Sequence, residues 1–157
     1  MRLLCLLCCV IFLFSCNDGE FDVPSFEFSD QVSTCGEYLL YRTNTDKTEA
    51  IILHLQATAL GTEIGSKSYP VSATNQVSYR AFDAAINHTY FCQDLPPTGP
   101  NVTNELTAES GTIVISTSTG VNTEYQYDIE IQQLVFVNGN EQIFFETFDF
   151  GTVNSSD

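Results

Sequence analysis

Leu134-Val135-Phe136-Val137-Asn138-Gly139-Asn140-Glu141-Gln142-Ile143-Phe144-Phe145 is the stretch that settles the fold class. Two runs of β-branched and aromatic residues flank Asn138-Gly139. That dipeptide suits a two-residue type I′ turn, whose central residues both need positive φ. The spacing therefore predicts a hairpin whose return strand runs through residues 142–150. Upstream, Tyr127, Ile129 and Ile131 are apolar at odd positions, whereas Leu134 and Phe136 are apolar at even ones. A one-residue slip in a period-two pattern predicts a β-bulge near Gln132.

Working outward, the rest of the chain gives strand signals separated by turn residues. Residues 37–43 and 49–57 flank the polar cluster Asn44-Thr45-Asp46-Lys47-Thr48, which predicts a second hairpin with Ile51, Leu53, Leu55 and Ala57 on one face. Residues 61–67 read as a loop and 68–73, with Pro70, as a short edge strand. Residues 76–82 alternate, with Val77, Tyr79 and Ala81 inward. Residues 81–92 hold the sole candidate helix, capped by Asp83. The proline-rich residues 94–100 read as an extended connection that continues as a loop to Ser110. Residues 112–118 form a further strand, and Gly120 to Asn122 turn the chain. The earliest strand covers residues 23–28, and its Phe26-Glu27-Phe28 echoes Phe148-Asp149-Phe150, which places the first and last strands near each other. About eight or nine strands of this length predict an all-β, two-sheet antiparallel β-sandwich, immunoglobulin-like or jelly-roll-like, with a lipocalin-like barrel as the alternative.

Ahead of this domain stands a leader. Arg2 is followed by the apolar run Leu3 to Phe14, the n-region and h-region pattern of a secretory signal. The run is too short to span a bilayer. It ends in Leu13-Phe14-Ser15-Cys16, after which the chain turns polar and acidic at Asn17-Asp18-Gly19-Glu20. This junction resembles the lipobox of bacterial lipoproteins. The resemblance implies that residues 1–15 are a signal peptide cut before Cys16, that Cys16 takes a diacylglycerol on sulfur, and that its new α-amino group is acylated, with palmitate as the expected acid. Several acyl chains bury many methylenes at about 0.8 kcal/mol each, so such an anchor is effectively permanent. The acidic residues 16–22 read as a tether and also resemble the export signal of surface-exposed lipoproteins of the Bacteroidota. The implied location is the outer membrane, facing the periplasm or the cell surface. Residues 23–157 make up one domain.

Charge narrows the partners. Arg2 leaves with the leader, so Arg42, Lys47, Lys67 and Arg80 face twenty acidic residues, a formal net charge of −16 for the mature chain. With no basic stripe to neutralise phosphates, nucleic acid is excluded as a partner. The protein surface is also repelled by anionic lipid, so membrane attachment rests on the lipid anchor itself.

Cys35 and Cys92 are the two remaining cysteines of the mature chain. In an oxidising compartment such a pair predicts a disulfide, closing a loop of roughly sixty residues worth about 4 kcal/mol. Cys5, Cys8 and Cys9 lie inside the leader and act as small hydrophobes.

Catalytic residues are not predicted. Ser110 lacks the G-x-S-x-G elbow, and His54 and His88 stand far apart in sequence without metal-ligand spacing. No metal or cofactor motif appears, and no D-x-[DN]-x-[DN]-G calcium loop. The seven tyrosines are expected in the core, with a sugar-stacking platform as the competing reading. Three Asn-x-Ser/Thr triplets, at Asn87, Asn101 and Asn154, matter only in a eukaryotic host. The sequence thus predicts a non-enzymatic binding module with an envelope protein or glycan partner. A hydrolase acting on envelope polymers, which requires paired carboxylates in a cleft, and a structural envelope component are the alternatives.

Overall fold

A computed structural model describes residues 24–29, 31–93, 95, 97–120 and 124–155. The leader, Cys16 and the tether lie outside the described residues. Among the described residues eight strands follow one another: β1 (Ser33–Cys35), β2 (Leu39–Thr43), β3 (Glu49–His54), β4 (Gly65–Pro70), β5 (Gln76–Phe82), β6 (Val102–Thr119), β7 (Tyr125–Asn138) and β8 (Glu141–Asn154). No helix occurs among the described residues. All pairings are antiparallel, in the order β1-β2-β3-β5-β6-β7-β8, with β4 added on β6. The ends of this order, β1 and β8, do not pair, so the sheet is not closed into a barrel.

Two layers arise from one sheet because β6 is long. Its first residues, Val102 to Thr107, pair with β5, and residues from Ala108 onward pair with β7, with β4 on the other side of Thr112 to Thr117. The inner faces meet in a single core: Leu40, Ile51, Leu53, Val77 and Tyr79 from β2, β3 and β5 cluster with Ile113, Ile115, Ile129, Ile131, Phe136 and Phe150 from β6, β7 and β8. Strands connect mostly to their sequence neighbours, so this sandwich is reached by an up-and-down path rather than by Greek-key crossings.

Both predicted hairpins form. In β2–β3 the Asn44 side-chain oxygen accepts from the backbone N–H groups of Thr48 and Glu49, closing the polar turn. Leu55 is buried as expected, but the strand ends at His54 and Ala57 is exposed. In β7–β8, Asn138 pairs with Glu141, so the turn residues are Gly139 and Asn140. Only Gly139 has positive φ, at 61°. Glycine first is the type II′ pattern, and the turn is one residue later than the type I′ assignment at Asn138-Gly139.

The bulge near Gln132 is present. Thr112 pairs with Gln132 and Ser110 with Val135, leaving Gln133 at φ 52°. A compensating shift between Ala108 and Ser110 restores the register, so Leu134 and Phe136 return to the core side. Gly111 lies opposite at φ 152°, where an added Cβ would come within 3.2 Å of Val71 and 3.4 Å of the Gln132 carbonyl. The strand β8 carries its own slip, Ile143 and Phe145 facing inward before Glu146-Thr147 and Phe148 and Phe150 after them.

Several expectations need correction. Residues 102–110 are strand, not loop: residues 102–107 pair with β5 and Ala108 and Ser110 with β7, and Leu106 and Ala108 are buried. Residues 65–67 likewise belong to β4, which starts earlier than its sequence suggests. Across residues 81–92 no helix forms: Ala81 and Phe82 finish β5, and residues 83–92 follow as bends and turns. Cys92 is tied to β1, and the segment lies over the outer face of β2, β3 and β5, where Tyr41, Ala50, Ile52, Phe82 and Ile86 form a second cluster with Tyr90 and Phe91. Asp83 and Asn101 close its base, Asp83 accepting from the Asn101 backbone N–H at 2.9 Å and side-chain amide at 2.7 Å.

Residues 24–29 are not a strand, yet they do reach the last one: the Phe28 and Phe148 ring centroids are 6.4 Å apart. Phe26, at φ 51°, inserts among Tyr79, Phe136 and Phe145 with centroids 5.0–5.4 Å away.

Candidate functional site

The sandwich has two ends. At the hairpin end, the β2–β3 turn lies beside the entering segment that holds the buried Pro24, with Ser25 Oγ donating to Glu49 at 3.4 Å and Ser29 N–H to the Thr43 carbonyl at 2.9 Å. The disulfide end holds the β1–β2 turn, the loop after β3, the start of β7 and the finish of β8. Tyr127 lies nine residues before Phe136 on β7, which puts the two ends about 30 Å apart along the strand.

A cavity of about 760 Å³ opens at the disulfide end. Its floor is core seen from outside: Leu40 of β2, Tyr127 of β7 and Val153 of β8, all buried. One wall is the loop after β3, through Ala57 and Leu60. That loop is fixed by Leu55 N–H donating to the Tyr38 carbonyl at 2.8 Å, and by Gln56 N–H donating to the buried Asn75 side-chain oxygen at 3.0 Å. The opposite wall is Asn154 and Ser155. Ser155 is pinned twice to Tyr125, its N–H donating to the Tyr125 carbonyl and its hydroxyl accepting from the Tyr125 N–H. The rim comes from Thr34, Cys35 and the turn Gly36-Glu37-Tyr38, where Gly36 takes φ 66°.

The disulfide holds that rim. Cys35 and Cys92 are joined with Cα atoms 5.2 Å apart, as expected from the cysteine count. Thus the segment covering the outer face and the wall of the cavity share one covalent post.

Electrostatically the cavity is one-sided. Among the described residues, Glu37 is its only charged lining residue, and no Lys, Arg or His contributes. The Tyr38 hydroxyl hydrogen-bonds to the Glu37 carboxylate, which raises the phenol above its ordinary range. Burial pushes the Tyr127 hydroxyl up as well.

Carboxylates do converge elsewhere. Asp128, Glu130 and Asp149 share the outer face of β7 and β8 around a shallow depression of about 380 Å³, with Glu130 directly across from Asp149. They are dressed by neighbours on the same face: Thr152 Oγ1 donates to Asp128 at 2.6 Å, and Gln132 Nε2 to Glu130 at 2.7 Å. Among the described residues, no group of three or more His, Cys, Asp or Glu side chains is placed to hold a metal ion. Among the described residues, the larger cavity is lined by one carboxylate, that of Glu37, and not by the pair that a carboxylate hydrolase requires.

Of the other residues singled out by sequence, His54 ends β3 and is exposed. His88 is exposed in the covering segment and contributes its backbone carbonyl, which accepts from Tyr41 Oη at 2.8 Å. Ser110 lies in the irregular register opposite Val135. Cys16 is outside the described residues. Sequence reading missed the cavity because its walls come from positions 34–38, 57–60, 127 and 153–155, which only the topology joins. No described helix is long and apolar enough to cross a membrane.

Comparison of the chain with protein-family models, with curated proteins and with solved structures returns no match.

Proposed function

We propose that this chain is a lipid-anchored binding protein of the cell envelope. Residues 1–15 are removed, Cys16 carries the lipid in the outer membrane, residues 16–22 form the acidic tether, and the sandwich is a non-enzymatic module that captures an envelope protein or glycan partner. The observation carrying this reading is the order of parts. The lipobox-like cysteine stands eight positions before Pro24, which is buried at the hairpin end, while the cavity opens at the other end.

Even fully extended, that stretch spans at most about 3.3–3.6 Å per residue, so the hairpin end stays within roughly 30 Å of the bilayer. The cavity then faces away from the membrane, toward whatever the compartment or the medium presents. The strongly acidic surface keeps the domain from lying down on anionic lipid.

Metabolic labelling with an alkyne fatty acid tests the anchor. Label is expected on the native chain and lost in Cys16→Ser, with the protein released from the membrane fraction. Label that survives in Cys16→Ser, or a native chain found wholly in the soluble fraction, contradicts the anchor.

A further inference from the structure

We infer that the cavity at the disulfide end takes an organic cation: a protonated amine on an aliphatic stem, the chemistry shared by a lysine side chain and a small alkylamine. The inference deepens the binding reading and rests on it only for the premise that the module captures a ligand; the lipid anchor plays no part in it.

The lining decides the class. The half-buried Leu60 and the exposed Ala57 offer aliphatic surface for an apolar body. A sugar would want an aromatic face to stack on, but Tyr127 is only 5% exposed. That leaves Tyr38 at the rim as the one partly exposed ring among the described lining residues.

At the mouth the charge among the described residues is that of Glu37. An anion entering there meets a carboxylate, no lining cation and a chain of formal net charge −15. A protonated amine meets the same carboxylate as a partner and the Tyr38 ring as a favourable cation neighbour. Long-range attraction by the acidic surface adds to its encounter rate and weakens with salt.

Depth fits as well. Ala57 and Leu60 line the wall and Glu37 the rim, so a stem can lie on apolar surface while its charged head stays at the wet mouth. Long amine side chains settle in this way on partly apolar surfaces.

The test uses the full chain in neutral detergent with isotope-labelled backbone amides, titrated with hexylammonium, hexanol and hexanoate, three probes of one body and different heads. Hexylammonium is expected to shift amides of residues 36–38, 57–60 and 153–155, to bind more tightly than hexanol, and to weaken as salt is raised; hexanoate is expected to bind least. Glu37→Gln should reduce the preference for hexylammonium over hexanol by about threefold, the scale of an exposed charge pair. Ala57→Trp, at an exposed wall position, should abolish binding of all probes while the melting temperature holds.

A capped Gly-Lys-Gly peptide separates the two sources of the amine: tighter binding than hexylammonium assigns a polypeptide partner, weaker binding a free amine. The inference is overturned if hexylammonium shifts no cavity amide, if hexanoate binds as well as hexylammonium, or if maltose shifts the cavity amides where hexylammonium does not. None of these outcomes depends on whether Cys16 is acylated, so failure here and failure of the anchor are read separately.

Discussion

The Arg42 guanidinium of β2 donates from Nη1 to the Asp149 and Phe150 carbonyls of β8, at 2.8 and 3.1 Å, although four strands separate β2 from β8 in the sheet order. Its Nε and Nη2 donate to the Ser29 and Phe28 carbonyls. One buried side chain therefore joins the entering segment to both layers along the open seam that a closed barrel would not have. Charge-assisted bonds of this kind are worth about 1.5–3 kcal/mol each, and a fork of fixed N–H groups reaches several acceptors at once.

Replacing Arg42 should accordingly open the seam. Arg42→Met is expected to lower unfolding free energy by roughly 2–4 kcal/mol, since buried carbonyls on two segments lose their donors. Arg42→Lys should cost less but not restore wild type, because one ammonium cannot span the same acceptors. Urea unfolding checks this; a midpoint unchanged in Arg42→Met would refute the role.

The disulfide closes a loop between residues 57 positions apart. Cys35→Ser with Cys92→Ser should cost about 4 kcal/mol in the chain-entropy model. The loss should also be visible locally, as faster amide exchange at Tyr90 and Phe91, whose rings pack over Phe82 and Tyr41. Equal melting temperatures with and without reductant would contradict it.

Backbone sign matters at the bulge. Gln133 is exposed and sits at φ 52°, a region costing a side-chain-bearing residue about 1–2 kcal/mol. Gln133→Gly is expected to be neutral or to stabilise by about 0.5–1 kcal/mol. Gly111→Ala across from it should destabilise by about 1–3 kcal/mol, since its Cβ would press on Val71 and the β7 backbone. Chemical denaturation of both variants gives the comparison, and opposite signs to these would show that the bulge is set otherwise.

Acid should loosen the covering segment. The Asn101 side-chain amide, followed by its backbone N–H, holds the Asp83 carboxyl below the usual carboxylate range. A group with a depressed folded pKa contributes stability that is present above its unfolded value, near 3.9, and is lost as pH falls through the folded value. Closure of residues 83–101 is therefore expected to weaken below about pH 4, and Asp83→Asn should remove that dependence. The Asn101 amide resonance followed against pH reports it; a flat profile through the acid range would count against the pairing.

Much of this architecture was legible in the chain, for physical reasons that also explain the rest. Ile51, Leu53 and Leu55, or Tyr127, Ile129 and Ile131, alternate because one side of each strand is core, and the glycine of the last hairpin marks its positive-φ turn position. The phase slip at Gln132-Gln133 was readable for the same reason. Residues 102–110 were not, because Thr103, Asn104, Glu105 and Thr107 look like loop residues until β5 supplies backbone partners. Asp83, Ala84 and Ala85 resemble a helix start, but Cys92 must meet Cys35, and that covalent demand overrides local preference. Arg42 looks like an ordinary outward strand residue, since nothing local signals that four carbonyls converge on it. The cavity joins residues more than a hundred positions apart, and no spacing rule reaches that far.

Mass spectrometry of the N-terminal peptide, taken from the native membrane fraction, tests the central claim most directly. The account predicts a peptide that begins at Cys16 and carries diacylglycerol and an amide-linked acyl chain. A peptide that retains residues 1–15, or one that begins elsewhere without lipid, would contradict it.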